Sequence, residues 1–420
     1  MPFMIRKSPV NSCKLLKHKK AEKRQAIIGR AAIAEAVHIY TFCKNNIMKI
    51  FFLGIGFLAA FMSSGCDAHS DGSKNASEGS QPGEWRPFAK TDRDKERDFV
   101  QPIIVLAFDG KFEELDQLVE ELHQKKIRHS DGSWAIDNFF NAFTEYDSYN
   151  QVDPEKWQPI LEKRLLDWVE KHPEPVAAAI ALSGFYGDYA WAVINTHDGG
   201  PLSEEQRITF GRRLNNALNA LSEADPSVKA WPSAWTLYLS LGRPAGFQKN
   251  KVLELFTEMQ TTDPKFWHIY SEMVSQYLVP WRQGSSHREW HDWLLNALDH
   301  PMLTLEDRDL IYARVVLNLM HYDYSKPRFP DPYVEAGVDW VRLQRGARAL
   351  INTFPSSTRL PTYYLSAAVL KNDEPAIREA LLVLKPHYDP GLWSGKGDKE
   401  FFELLERLRQ KYPSLSDVIE

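Results

Sequence analysis

Two short motifs contain residue types that bind metals or phosphates in other proteins. His287 and His291 are four residues apart on a predicted helix, a spacing that lets two imidazoles hold one metal ion. Zinc proteases need a glutamate directly after the first histidine, but Arg288 occupies that position and Glu289 fits a helix-capping box instead. In the glycine-rich segment 391–397, Gly397 occupies the position at which a phosphate-binding loop needs Ser or Thr to hold magnesium. We therefore predict no metal site, no cofactor and no catalytic residue.

Tryptophan is the other abundant residue with binding chemistry. All 13 tryptophans follow Cys66, and most lie in predicted helices, where packing in the core is the simpler interpretation. The alternative is an aromatic groove for a peptide or a glycan. The candidate binding residues for such a groove are Trp281, Arg282 and Trp290, because the first two lie in a predicted loop between helices. The segment 321–337 has no clear helical pattern, and loops of this length often bind ligands.

Cys66 ends an apolar segment that has the pattern of an export signal. Lys49 precedes the apolar run 50–62, and the small residues 63–65 lie directly before the cysteine. This arrangement is typical of a cleaved secretory signal. The segment also resembles the lipobox of bacterial lipoproteins, although Ser63 stands where leucine is usual. That resemblance implies cleavage before Cys66 and lipidation of its sulfur. An uncleaved membrane anchor and a buried core helix are the alternatives.

The chain divides into segments of different composition. Residues 1–47 carry ten Lys or Arg against two Glu, and we interpret them as a mis-called extension upstream of a start at Met48. A genuine basic cytoplasmic tail is the alternative. The predicted order is an upstream extension over 1–47, a signal peptide over 48–65, a flexible tether over 66–93, a helical repeat domain over 94–411 and a C-terminal tail over 412–420.

Composition and charge exclude several classes of protein. The 420-residue chain is 43% hydrophobic and 25% charged, which is ordinary for a globular protein. From residue 66 onward it holds 54 acidic and 40 basic side chains, so it repels phosphate backbones and we predict no nucleic-acid partner. No cysteine follows Cys66, so the exported part has neither a disulfide nor a cysteine-based metal site.

The periodicity of apolar residues from about Asp94 onward is helical, and we find no convincing alternating strand. Apolar residues recur at intervals of three and four, and each predicted stripe lies on one helical face. Four of these stripes are Phe112, Leu115, Leu118, Val119 and Leu122; Trp157, Ile160, Leu161, Leu165 and Trp168; Val252, Leu255, Phe256 and Met259; and Phe401, Leu404, Leu405 and Leu408. Asp-Pro pairs at 153, 225 and 263 predict N-caps, and short connections such as Phe108-Asp109-Gly110 predict antiparallel hairpins. Each hairpin would bury its apolar face against the next one. The predicted fold is all-α, an α-solenoid of antiparallel helical hairpins with tetratricopeptide-like units.

Three stretches resemble a bacterial family of uncharacterised tetratricopeptide-like proteins, many of them lipoproteins. They are residues 108–134, 184–195 and 276–294, which span most of the region from 94 to 300. The family has no assigned activity, so the resemblance implies a fold and an envelope location rather than a reaction. In this chain Ala192-Val193-Ile194 follows the Tyr-Ala-Trp helix, where the family has an Arg-Gly stretch.

The functional prediction is a lipid-anchored helical-repeat protein on the periplasmic side of a cell membrane, with a protein-interaction or scaffold role and no enzymatic activity. Its partners would be the membrane, through the anchor at Cys66, and an unidentified protein. Solenoids offer extended concave surfaces for such partners. The alternative is a periplasmic carbohydrate-active enzyme built as a closed ring of helical hairpins, with paired carboxylates at its centre. An envelope protein with a purely structural role is a third possibility.

Overall fold

The fold is all-α, as predicted. The computed structural model describes residues 85–144, 154–172, 176–195, 202–224, 226–242, 244–278, 288–321, 331–393 and 398–420. Cys66, the signal peptide, Trp281 and Arg282 lie outside these ranges. Strands in the described ranges are limited to β1 (Arg86–Pro87) and β2 (His387–Tyr388), which pair in parallel.

The helices follow one another along the chain with short connections. The first eight are α1 (Asp92–Asp109), α2 (Phe112–Lys125), α3 (Ala135–Asn141), α4 (Pro154–Lys171), α5 (Val176–Asn195), α6 (Glu204–Glu223), α7 (Pro232–Gly242) and α8 (Lys249–Thr262). The others are α9 (His268–Leu278), α10 (Arg288–Leu298), α11 (Leu305–Leu319), α12 (Pro332–Glu335), α13 (Trp340–Thr353), α14 (Arg359–Lys371), α15 (Glu374–Leu384), α16 (Asp398–Lys411) and α17 (Ser416–Ile419).

Local sequence explains where several helices begin and end. Thr91 caps α1 and shares a capping box with Asp94. Gly110 ends the same helix with φ 70°, a left-handed conformation that glycine adopts without strain, so α2 begins two residues later as predicted. The predicted N-cap at Asp263 is wrong. Its carboxylate accepts a hydrogen bond from the Lys265 N–H at 3.2 Å in a turn, and α9 begins only at His268.

The predicted apolar stripes form the core. On α2, α8 and α16, every buried side chain belongs to the stripe predicted for that helix. α4 differs at one position, because Ile160 is 54% exposed while Trp157, Leu161 and Leu165 of the same stripe are buried. Burial of these side chains is the main favourable contribution to folding.

The consecutive helices α5 and α6 pack as an antiparallel pair. Between α5 and α6, Trp191 contacts Phe210 at 5.3 Å, and the Arg213 guanidinium lies over the Tyr189 ring at 3.1 Å. Contacts of this kind run in opposite directions along the two helices. α5 is long and apolar enough to cross a membrane, but 72% of its apolar window is buried inside the protein, as in a core helix.

Helices α11 and α13 approach each other closely at Gly346. A Cβ atom built on Gly346 would overlap the backbone oxygen of Asp309 and lie 2.7 Å from the Cβ of Ala313. The Asp309 carboxylate also accepts hydrogen bonds from Nε of Arg342 at 2.9 Å and Nε of Arg345 at 2.6 Å. The missing side chain at 346 therefore sets the separation of the two helices.

Distant parts of the chain meet where the described structure begins. Trp85 is 7% exposed and donates its indole N–H to the backbone oxygen of Ile419 at 2.8 Å. Its ring meets Phe401 edge-on at 5.2 Å. The predicted boundaries therefore need correction. Residues 85–93 belong to the folded body rather than to the tether, and 412–420 is not a free tail, because Leu415 and Ile419 are buried.

Candidate functional site

The structure bears on Trp290 alone among the predicted binding residues. Trp290 lies in α10 with only 1% of its surface exposed, so its ring packs in the core and offers no face to a ligand. The prediction of Trp290 as a binding residue is wrong for that reason. Core packing is confirmed for the described tryptophans, all of which are buried or half-buried. Cys66, Trp281 and Arg282 lie outside the described residues.

His291, the second residue of the histidine pair, also has a structural role. Its ring is 3% exposed, and Nε2 lies 2.9 Å from the Tyr312 hydroxyl of α11. Burial lowers the pKa of His291. The imidazole therefore links two helices instead of facing solvent.

Asp131 is the centre of a buried network of charged residues. It lies in the loop between α2 and α3 and is fully buried. Its Oδ2 accepts hydrogen bonds from Arg314 of α11 at 2.7 Å and from Arg359 of α14 at 2.8 Å. Arg359 also donates to both carboxylate oxygens of Glu96 in α1, at 2.7 and 3.0 Å. Four separate parts of the chain are joined by these bonds.

Asp92 extends the network towards the start of α14. One carboxylate oxygen accepts from the Ser357 hydroxyl and the Thr358 N–H, both at 2.8 Å, and from the Arg359 N–H at 3.0 Å. In this way α1 caps a helix that begins about 270 residues later, a role usually filled by a residue close in sequence. The Thr358 hydroxyl in turn donates to Asp389 at 2.9 Å.

The charges in this network stabilise one another. Burial alone would raise the pKa of Asp131, but the guanidinium groups of Arg314 and Arg359 hold it well below its usual value. Burial likewise opposes the charge on Arg359, yet Glu96 and Asp131 hold the pKa of Arg359 above its usual value. At Asp389 burial outweighs the hydrogen bonds from Thr358 and the Gly391 N–H and the charge of Arg359, and it raises the pKa of Asp389. Asp131 and Glu96 are both paired with guanidinium groups, which suits a structural role, although Nε of Arg314 and Nε of Arg359 make no hydrogen bond to a described residue.

A second polar cluster forms where the first turns of α3, α7 and α9 meet. Asp137 of α3 accepts a hydrogen bond from the Ser233 hydroxyl of α7 at 2.8 Å. Its other oxygen contacts Nδ1 of His268, the first residue of α9. The His268 ring is 23% exposed and the Asp137 side chain only 11%. The half-buried carboxylate of Asp137 therefore orients the half-buried imidazole of His268.

The two clusters are connected through aromatic contacts. The Arg314 guanidinium lies 4.6 Å from the centroid of the Trp267 ring, and that ring lies 3.7 Å from the His268 ring. Nearby, the Arg128 guanidinium stacks on Trp134 at 3.8 Å. The clusters therefore form one continuous polar region through the middle of the described fold.

Sequence reasoning missed both clusters, although the sequence contains a partial signal. Asp137 interrupts the apolar run of α3, and Arg314 interrupts an apolar run in α11. A charged residue on a core-facing stripe predicts a buried partner. The identity of that partner was not predictable, because Asp131 and Arg314 are separated by 183 residues.

His321, just after α11, should make the stability of the protein depend on pH. Burial lowers the pKa of His321 to about 3, although a hydrogen bond with the Leu392 backbone opposes the shift. Between pH 6.5 and 3 the His321 imidazole is protonated in the unfolded chain but not in the folded chain, so the free energy of unfolding falls as the pH falls. We expect a loss of up to about 1.4 kcal/mol per pH unit in this window from this one group. Urea unfolding measured from pH 7 to 4.5 checks this.

The His321→Gln variant is the control for that measurement. Glutamine keeps a hydrogen-bonding group near Ser366, whose hydroxyl lies 3.2 Å from Nδ1, but it does not titrate. The variant should show a shallower loss of stability with acid than the parent. Identical slopes for the two proteins would contradict the assignment.

Within the ranges that the structure describes, no group of three or more His, Cys, Asp or Glu side chains is arranged to hold a metal ion. Comparison with family models, with curated proteins and with solved structures finds no match for this chain.

Proposed function

We propose that this chain is a lipid-anchored helical-repeat protein on the periplasmic side of a cell membrane, where it binds a protein partner as an interaction or scaffold protein. The observation that carries the proposal is the packing order of the helices. Many helices that follow one another along the chain pack together, and the consecutive pairs α4–α5 and α5–α6 share α5. An array built this way presents a long surface to a partner and resembles a solenoid of tetratricopeptide-like units.

The anchoring part of the proposal is supported by the sequence before the body. The apolar run 50–62, the small residues 63–65 and Cys66 have the order expected of a lipoprotein signal. Two or more acyl chains on one residue would hold a protein firmly at a bilayer. An acidic body is compatible with a site outside the nucleic-acid-rich cytoplasm.

Site-specific crosslinking in cells tests the proposal. A photo-crosslinking amino acid is placed at Leu305 or Val341, which are 71% and 68% exposed, and at the equally exposed Lys399 as a polar control. We expect one discrete polypeptide to be captured in the membrane fraction from an apolar position and not from the control. The same experiment with Cys66→Ser should move the protein, and any captured partner, out of that fraction. No capture from either apolar position would contradict the scaffold role, and unchanged fractionation of Cys66→Ser would contradict the anchor.

One observation favours the second candidate, a carbohydrate-active enzyme on a closed helical ring. The first helix contacts the turn before α14, and β1 pairs with β2, so distant parts of the body are joined as a ring would require. The carboxylates at this closure, Asp131 and Glu96, are however bound to arginines. Release of sugars from purified cell-wall glycan by the protein would favour this candidate.

A further inference from the structure

The point at which the chain enters the described body has a fixed position. The Trp85 indole N–H donates to the backbone oxygen of Ile419 at 2.8 Å, and the Trp85 ring meets Phe401 of α16 edge-on at 5.2 Å. In the next residues β1 pairs with β2, and the Phe88 N–H donates to the Tyr388 backbone oxygen at 2.9 Å. The chain that precedes Trp85 therefore joins the body beside β1, β2 and α16.

Exposed apolar side chains surround this entry point. Phe402 of α16 is 44% exposed, and its ring meets Tyr388 edge-on at 5.6 Å. Phe88 is half-buried and stacks on the His387 ring at 5.3 Å. Two exposed prolines adjoin these rings, one in β1 opposite Tyr388 and one directly before β2. The entry face is the group Pro87, Phe88, Pro386 and Phe402.

Only a short length of chain separates the proposed anchor from this face. Cys66 and Trp85 are 19 positions apart, so the link between them reaches at most about 65 Å. A compact body of the size of residues 85–420 is about 50 Å across. If the opposite side of the body met the bilayer, the link would be drawn out over most of its length, which few chain conformations allow. The anchor therefore favours contact of the entry face with the bilayer.

We propose that the entry face docks on the bilayer that holds the lipid on Cys66. The proposal rests on the lipid anchor proposed above. Apolar and aromatic side chains that enter the headgroup region of a bilayer bury their surface there. Because the link keeps the face close to the membrane, a contact too small to bind the free protein is formed in the anchored protein.

Other exposed apolar residues lack this connection to the membrane. Leu305 of α11 and Val341 of α13 are 71% and 68% exposed, which is more than Phe402. Neither helix holds the point at which the chain from Cys66 joins the body, since Trp85 contacts α16 and Ile419. The position of the entry point, rather than exposure alone, therefore selects the entry face as the docking surface.

Side-chain footprinting on vesicles tests the proposal. In the processed chain 66–420, which contains the whole described body, Cys66 is the only cysteine, so a lipid with a maleimide headgroup couples the chain at the proposed anchor. The vesicles contain phosphatidylethanolamine and phosphatidylglycerol. Hydroxyl radicals oxidise side chains that water reaches, and peptide mass spectrometry gives the oxidation rate of each residue. Relative to Leu305 and Val341, we expect Phe402 and Phe88 to be oxidised about threefold more slowly in the coupled protein than in uncoupled protein mixed with the same vesicles.

Two variants separate docking from other causes of protection. Phe402→Asp places a charge on the entry face and should return the oxidation rate of Phe88 in the coupled protein to the uncoupled rate. The matched control is Val341→Asp, which places the same charge at an exposed apolar position of α13 and should leave Phe88 protected. Both positions are exposed, so circular dichroism should show the parental helix content for each variant.

Three results would overturn the proposal. Equal protection of Phe402, Leu305 and Val341 would show that the anchored body has no preferred face, and unchanged oxidation of Phe402 on coupling would exclude docking. Protection of Phe402 in free protein as its concentration rises would assign the entry face to a second copy of this chain. Because the coupling is chemical, these results do not depend on lipidation in cells, which the fractionation of Cys66→Ser tests separately.

Discussion

Replacing Arg359 with methionine should lower the free energy of unfolding by about 3–5 kcal/mol, the cost of breaking a buried ion pair from one side. The substitution leaves Asp131, which is fully buried, with one guanidinium instead of two and leaves Glu96 without its bidentate partner. Methionine fills much of the same volume, so loss of charge pairing dominates over loss of packing. Chemical denaturation of the purified protein measures the effect.

The control is an arginine with similar bonds and greater exposure. Arg348 donates to both oxygens of Glu379, but the two side chains are 50% and 35% exposed. Arg348→Met should therefore lower the free energy of unfolding by no more than about 1 kcal/mol, as is usual for ion pairs near the surface. Equal losses for the two variants would show that burial of the network contributes nothing of its own.

Adding a single methyl group at Gly346 should also destabilise the fold strongly. In Gly346→Ala the new Cβ would overlap the Asp309 backbone oxygen, and backbone cannot rotate away as a flexible side chain would. α11 and α13 must move apart, and we expect a net loss of about 1–3 kcal/mol, as for overpacked cores. The loss should appear although alanine favours a helix by about 1 kcal/mol over glycine. Thermal and urea unfolding measure it.

Gly184→Ala provides the comparison for this variant. Gly184 also lies inside a helix, but the nearest atom to an added Cβ is the Thr144 methyl carbon at 3.3 Å, at the end of a side chain. Here helix propensity and the small clash nearly cancel, so stability should change by less than about 1 kcal/mol. If both glycines tolerate alanine equally, the close approach of α11 and α13 does not limit stability.

The sequence predicted the helices well because their signal is local. The stripe that contains Val252, Leu255 and Met259 identifies the buried face of α8 without any knowledge of its neighbours. The end of α1 at Gly110 was also predictable from local sequence, because helices commonly end at a glycine in the left-handed conformation. Both features depend on residues within a few positions of each other.

The candidate sites were not predictable in the same way because they depend on distant pairings. Asp137, Ser233 and His268 come from three different helices. Ser233 lies 96 residues after Asp137, and His268 lies 131 residues after it. The sequence also favoured Trp290 over these residues, since an aromatic residue in a predicted helix looks the same whether its ring faces a partner or the core. Its burial follows from the way α10 packs on its neighbours, which no local pattern reports.

The contact between Trp85 and Ile419 constrains the order in which the chain acquires its structure. Trp85 and Ile419 are separated by 334 positions, so the backbone oxygen that accepts the indole hydrogen bond is synthesised long after Trp85 itself. Helices such as α1 and α2 form from nearby residues and are complete early. The surface of α1 that binds residues 357–359 must then stay uncovered through the synthesis of most of the body. Until then the uncovered surface of α1 can contact other chains, so aggregation competes with folding during this interval.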